Sequence, residues 1–210
     1  MIVCAATNNA GKLKELRRIL TRCGHEVRSL RELGVTLDPD ETGTTFEENA
    51  RIKAQAFCAA TGLATVADDS GLCVEALHGE PGVYSARYAG CHGDDEANNR
   101  KLMDRMADLP EGSRAARFVS AVCLMLPDGR CLTVHGECPG RIALTPAGSN
   151  GFGYDPLFIP DRVGLPQGGT RPNTEGRTYA ELADAEKDAI SHRGRAMERL
   201  EAALPDFLQS

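Results

Sequence analysis

The chain opens with a short apolar run, I-V-C-A-A at residues 2–6, that stops at the polar stretch T-N-N-A-G of residues 7–11. Leu13, Leu16, Ile19 and Leu20 follow at the spacing of one helix face. A strand that feeds a helix through a short loop commits the chain to layered packing of helix on sheet, because neither element can bury its apolar side alone. Gly24 suits the end of that helix, and residues 27–30 read as a second short strand.

The pattern then repeats with variations. In E-T-G-T-T-F-E-E at residues 41–48, Thr44 with Glu47 or Thr45 with Glu48 fits a capping box, so a second helix is expected to run to about Thr61 and close at Gly62. Residues 63–67 read as a buried strand that ends at D-D-S-G, residues 68–71, with 72–74 as another short strand. Residues 94–108 read as a helix with Leu102, Met103 and Met106 inward. Residues 118–126, the turn P-D-G-R at 127–130 and residues 131–138 form the clearest β-hairpin, assigned to a second lobe. Residues 148–156 are a glycine-rich loop, and 161–176 read as a mobile polar loop. Thr178 and Glu181 fit another capping box, and 191–204 read as a terminal helix with Met197, Leu200 and Leu204 on one side. Strands interleaved with helices, plus one long hairpin, predict a single α/β domain with a mixed sheet rather than a bundle or a sandwich.

Of the 210 residues, 41% are hydrophobic and 26% charged, an ordinary globular composition. Acidic side chains outnumber basic ones 30 to 24, which argues against a general binder of nucleic acid or anionic membrane, so any phosphate must be captured locally. No apolar run approaches the roughly 20 residues that span a bilayer, and the start lacks the basic flank and apolar length of a signal peptide, so a cytoplasmic protein is expected. The eight cysteines, Cys23 among them, include no C-x-x-C pair and are expected to be buried reduced thiols.

Four places carry candidate chemistry. Residues 7–12, between strand and helix, either form an ordinary β-α turn with a solvated lysine or offer helix-start N–H groups and the Lys12 ammonium to an anion. Asp68-Asp69, after an apolar strand, either cap a turn and face solvent or share a cation that relieves their repulsion; Glu41, Glu47 and Glu48 are further oxygen donors for a hard divalent ion. Glu47 and Glu48 also suit the first turn of a helix. In G-F-G-Y-D-P at 151–156, Phe152 either stacks on a planar base or tucks into the core, with Asp155 as an acceptor. Ser191-His192-Arg193 either simply start a helix or donate to a ligand's oxygens, with Lys187 upstream.

Taken together, A-T-N-N-A-G-K (6–12), E-T-G-T-T-F-E-E-N-A-R-I-K-A (41–54), A-D-D-S-G-L (67–72), G-V-Y-S-A-R-Y-A-G (82–90), G-F-G-Y-D-P-L-F (151–158) and E-K-D-A-I-S-H-R-G (186–194) closely resemble the inosine/xanthosine triphosphate pyrophosphatases over nearly the whole chain. That resemblance implies hydrolysis of ITP, dITP and XTP to the monophosphate and pyrophosphate, with Mg2+, by a homodimer whose elongated mixed sheet carries two α/β lobes around a central nucleotide cleft. It implies Asp69 as the residue that activates water, with Glu41, Asp68 and Asp69 around the metal. Thr7, Asn8, Asn9, Ala10, Gly11, Lys12, Lys53 and Lys187 would hold phosphates, and Ser70 would contact substrate. Phe152 would stack on the base beside Gly153 and Tyr154, and Asp155, His192 and Arg193 would read its edge. Residues 161–177 are longer than the family pattern and are expected to be a surface loop near the cleft mouth that tolerates deletion.

Overall fold

In the computed structural model, which describes residues 1–22 and 24–209, the elements follow as β1 (Ile2–Ala5), α1 (Ala10–Arg22), β2 (Glu26–Ser29), α2 (Phe46–Thr61) and β3 (Ala64–Val74). Then come α3 (Asp95–Arg105), β4 (Ala115–Met125), β5 (Cys131–Ile142), β6 (Phe158–Pro160), β7 (Arg162–Gly164), β8 (Thr170–Pro172), α4 (Asp184–Asp188) and α5 (His192–Gln209). Six strands form one sheet in the order β2-β1-β3-β4-β5-β6, and β7 pairs with β8 alone. β1 is parallel to both β2 and β3, whereas β5 and β6 are antiparallel, so the sheet is mixed as expected. The chain divides into two compact units: residues 1–69, 120–136 and 193 onward form the first, and 70–119 with 137–192 form the second.

The first unit is layered, and period-two alternation along its strands explains how. Val3, Val66, Val122 and Leu124 pack with Leu16, Ile19 and Leu20 of α1 and with Ala196, Met197 and Leu200 of α5. Their neighbours Cys4, Ala67, Ala121, Cys123 and Met125 pack instead with Ala50, Ala54, Phe57 and Cys58 of α2. Helices therefore cover both faces, which is why these strands read as continuous apolar runs. Of the two capping boxes that the sequence offers α2, the Thr45–Glu48 pair forms, and Gly62 closes the helix at φ 66° with its N–H on the Cys58 carbonyl.

The second unit is built around Leu72, Val74, Leu102, Met106, Phe118, Ile142, Phe158 and Tyr179, with the Phe118 and Tyr179 rings stacked 5.6 Å apart. Its charged hub is Arg114, only 2% exposed, which donates to the carbonyls of Met106 (2.8 Å), Ile142 (3.0 Å) and Ala143 (3.0 Å). One side chain thus satisfies the C-terminal end of α3 and ties it to the end of β5.

Several expectations change. β3 does not stop at Asp68: it runs unbroken to Val74, so the two acids stand in mid-strand and no separate strand exists at 72–74. Residues 161–177 are not a plain loop, because β7 and β8 pair there across a turn closed by Leu165 and Gly169. Val163 is fully buried, and the buried Asn173 donates to the carbonyls of Pro160 (2.9 Å) and Arg177 (2.7 Å), so this segment packs into the second unit's core. α5 continues past residue 204 to Gln209, through Pro205. The hairpin of β4 and β5 forms, with Leu126 and Arg130 bonded across its turn, but it is not confined to a second lobe: residues 120–136 belong to the first unit, and the far ends of its strands to the second. Cys4, Cys58, Cys123 and Cys138 are buried free thiols, Cys73 and Cys131 are half-buried and Cys91 is exposed; Cys23 lies outside the described residues.

Candidate active site

Adjacent residues of a strand point to opposite faces, and this separates the two carboxylates of β3. Asp68, 1% exposed, turns to the side of α1 and α5. Its Oδ1 lies 3.0 Å from Lys12 Nζ, its Oδ2 accepts from Ser120 Oγ at 2.8 Å, and the Arg193 guanidinium donates to both oxygens, at 3.3 and 3.4 Å. The same guanidinium is bonded to the buried Glu15 carboxylate. Burial alone would push the Asp68 carboxyl up, but Arg193, Lys12 and Lys53 outweigh it and hold the group far below the usual carboxylate range. Burial also pulls the Lys12 ammonium down, and Asp68 only partly opposes this.

Asp69, 6% exposed, turns to the α2 side. Asn49 Nδ2 donates to its Oδ2 at 3.1 Å, and Lys53 Nζ lies 3.3 Å from Oδ1 and 3.1 Å from Glu41 Oε1. Here burial wins: the Asp69 pKa is raised despite Lys53 and Lys12, with Glu41 and Asp68 adding to the rise. Lys53 is pushed the other way, since Asp69 and Glu41 outweigh its burial and raise its pKa. The one ammonium of Lys53 marks the point on which two carboxylates converge. Their oxygen donors suit a hard divalent cation, which takes one or two protein carboxylates and fills its other positions with water and phosphate. Among the described residues no three His, Cys, Asp or Glu side chains form a metal-binding group.

At the start of α1, Asn9 caps the helix: its side chain accepts from the Lys12 N–H at 3.0 Å, while its own N–H donates to Thr7 Oγ1. First-turn N–H groups lack intrahelical acceptors, so this loop and Lys12 together suit an anion.

In the second unit, residues 151–155 wrap around the Asp155 carboxylate. Its Oδ2 accepts from the Phe152 N–H (3.0 Å) and from Lys187 Nζ (2.7 Å), and the ammonium of Lys187 lies over the rings of Phe152 and Tyr179. Gly151, at φ 79°, has the carboxylate where a Cβ would stand. Phe152 is half-buried. Gly153 is fixed by its N–H to Asp95 (2.7 Å), and the Tyr154 hydroxyl donates to the Ser85 carbonyl (2.9 Å). His192 is buried with its ring stacked on Phe118, centroids 4.8 Å apart.

A buried acid pair with buried cations, beside a capped helix start, raises the question of kin. The profile of the Ham1 family matches residues 3–203. The chain belongs to the Ham1 family. It is 47% identical to the dITP/XTP pyrophosphatase of Exiguobacterium sibiricum, over 99% of each chain, and 51% identical to that of Nocardia farcinica, over 96% of this chain and 94% of the other. Among solved structures it resembles the Ham1 protein of Staphylococcus aureus, with TM-score 0.79 and 39% identity over 98% of this chain and 99% of that one. A Coxiella burnetii HAM1 protein gives TM-score 0.80 at 38% identity, over 98% and 99% of the two chains.

Within this Ham1 chain the first unit gathers Thr7, Asn8, Asn9, Ala10, Gly11, Lys12, Glu41, Lys53, Asp68, Asp69 and Arg193, while Ser70, Phe152, Gly153, Tyr154, Asp155, Lys187 and His192 belong to the second. Two residues keep company that the sequence did not suggest. Lys187, expected at the phosphates, pairs with Asp155 among aromatic rings, and Arg193, expected at the base edge, pairs with Asp68 and Glu15. Sequence reasoning passed over Glu15, Asn49 and Ser120. The signal for Glu15 was present, since it interrupts the apolar stripe of Leu16 and Ile19. Asn49 stands one turn before Lys53 on α2 and next to the buried Ala50.

Proposed function

We propose that this Ham1 chain hydrolyses deaminated purine nucleoside triphosphates, ITP, dITP and XTP, to the nucleoside monophosphate and pyrophosphate. The observation that carries the reading is Asp69: a buried carboxylate set against Glu41 and Lys53. It is supported by the dITP/XTP pyrophosphatase names of the relatives. A carboxylate held in such a place can accept a proton from a bound water. We assign it as the general base that accepts the proton of the water attacking the α-phosphorus, with pyrophosphate leaving. The side chains of Lys12 and Lys53 and the N–H groups of residues 10 and 11 bind triphosphate oxygens, since phosphoryl transfer asks mainly for positioned positive charge. Glu41 and Asp69 would hold Mg2+, which supplies further positive charge against those oxygens. Asp68, saturated by Lys12, Ser120 and Arg193, keeps these cations in place.

Phe152 is assigned to stack on the purine, with Lys187, Asp155 and His192 reading its edge. Hypoxanthine and xanthine carry an oxygen at position 6, where adenine carries an amino group, so donors at that edge accept the first two and are left unpaired against the third. The test is product release from ITP, XTP, ATP and GTP, with magnesium present or chelated, scoring pyrophosphate and orthophosphate separately. Magnesium-dependent pyrophosphate from ITP and XTP, with ATP at least about 100-fold poorer in kcat/KM, is expected. Orthophosphate, or equal use of ATP, overturns the reaction or the base assignment respectively.

A further inference from the structure

We infer that Asn49 is a positioning residue for the reaction: through its carboxamide it fixes the Asp69 carboxylate and the segment that carries Glu41 in one geometry. The inference rests on the assignment of Asp69 as general base. Asn49 is fully buried on α2, where a polar side chain needs a partner for each end. Both ends have one: Nδ2 donates to Asp69 Oδ2 at 3.1 Å, and Oδ1 accepts from the Gly43 N–H at 2.8 Å. The chemistry fixes which way the amide faces, because a backbone N–H can only donate and a carboxylate can only accept. Gly43 lies two residues after Glu41, and its close approach is shaped for this contact: a Cβ there would stand 2.6 Å from Asn49 Oδ1 and 2.7 Å from Glu48 Cβ. With Oδ2 held by Asn49, the carboxylate of Asp69 cannot turn freely about its Cβ–Cγ bond, and Oδ1 stays toward Lys53 and Glu41. One amide thus couples two separate stretches of chain whose carboxylates, Glu41 and Asp69, must converge on one positive charge.

The experiment is Asn49→Asp, near-identical in shape and still able to accept from Gly43, yet unable as a carboxylate to donate to Asp69. Rates with ITP and Mg2+ are measured beside Asn49→Ser and Asp69→Asn, with thermal unfolding of each. The expected result is a fall in kcat of about 10- to 100-fold for both Asn49 variants, with KM within about threefold of the parent. Asn49→Ser covers the case in which Asn49→Asp does not fold. Parental kcat in either folded Asn49 variant overturns the inference, as does a loss confined to KM. The two levels separate cleanly: turnover retained by Asp69→Asn removes the assignment of the base itself, whereas turnover lost there but kept in Asn49→Asp removes the role of Asn49 alone.

Discussion

A single strand residue decides what its neighbour cannot. Asp68 and Asp69 are adjacent, yet one is drawn far below the ordinary carboxylate pKa and the other raised above it, because the pleat sends them to opposite faces with different cations. From the sequence, the pair was legible as unusual, and its repulsion was the argument for a shared metal. The division of labour was not legible, since it depends on Arg193 and Lys12 reaching one face and Asn49 and Lys53 the other. Because the folded Asp68 pKa lies below its unfolded value of about 3.9, its ion pairs stabilise the protein above roughly pH 4, and this contribution drains away as pH falls. Asp68→Asn is expected to cost about 3 kcal/mol at pH 7 and to flatten the decline of stability below pH 5. Urea midpoints between pH 3 and 7 give the comparison, and parallel slopes for the two proteins would refute it. For Asp69→Asn the expectation is different: ITP binding by calorimetry survives while turnover drops by at least about 1,000-fold; undiminished turnover sinks the assignment.

At the level of elements, the helices were the most readable parts, because apolar spacing and caps are local. The Thr45–Glu48 box and Gly62 bound α2 as the sequence suggested, and Thr45→Ala is expected to lower stability by about 1 kcal/mol in a denaturant titration. β3 was cut short in the reading for a physical reason: D-D-S-G carries every local mark of a turn, and only counter-charges brought from elsewhere in the chain let it continue as strand. The β7 and β8 pair was missed likewise, since three-residue strands give no periodicity, and their hold comes from Val163 and Asn173. Arg114 is the test of such remote ties. Replacing it with Met keeps much of the stem but leaves the Met106, Ile142 and Ala143 carbonyls without their donor, an expected loss of about 3 kcal/mol by thermal or urea unfolding. A loss under 1 kcal/mol would mean that water replaces the guanidinium.

For the molecule as a whole, an acidic balance of 30 to 24 hides a site rich in buried cations, so net charge says nothing of where phosphate is held. The family resemblance supplied the reaction class; which candidate residues belong to which unit came only with the fold. Each unit is stitched from separate stretches of chain, the first from three and the second from two. A chain shortened to residue 192 loses Arg193 together with Ala196, Met197 and Leu200, and is expected to show no cooperative unfolding of the first unit by circular dichroism; a full transition would contradict this. Synthesis sets a timetable on the same stitching. Arg193 is translated 125 residues after Asp68, so a nascent chain emerging from the ribosome carries its buried-to-be acid, and the bare α5 side of β1 and β3, for at least several seconds before the counter-ion exists. Chaperone capture during that interval is where this topology places the protein's exposure to aggregation.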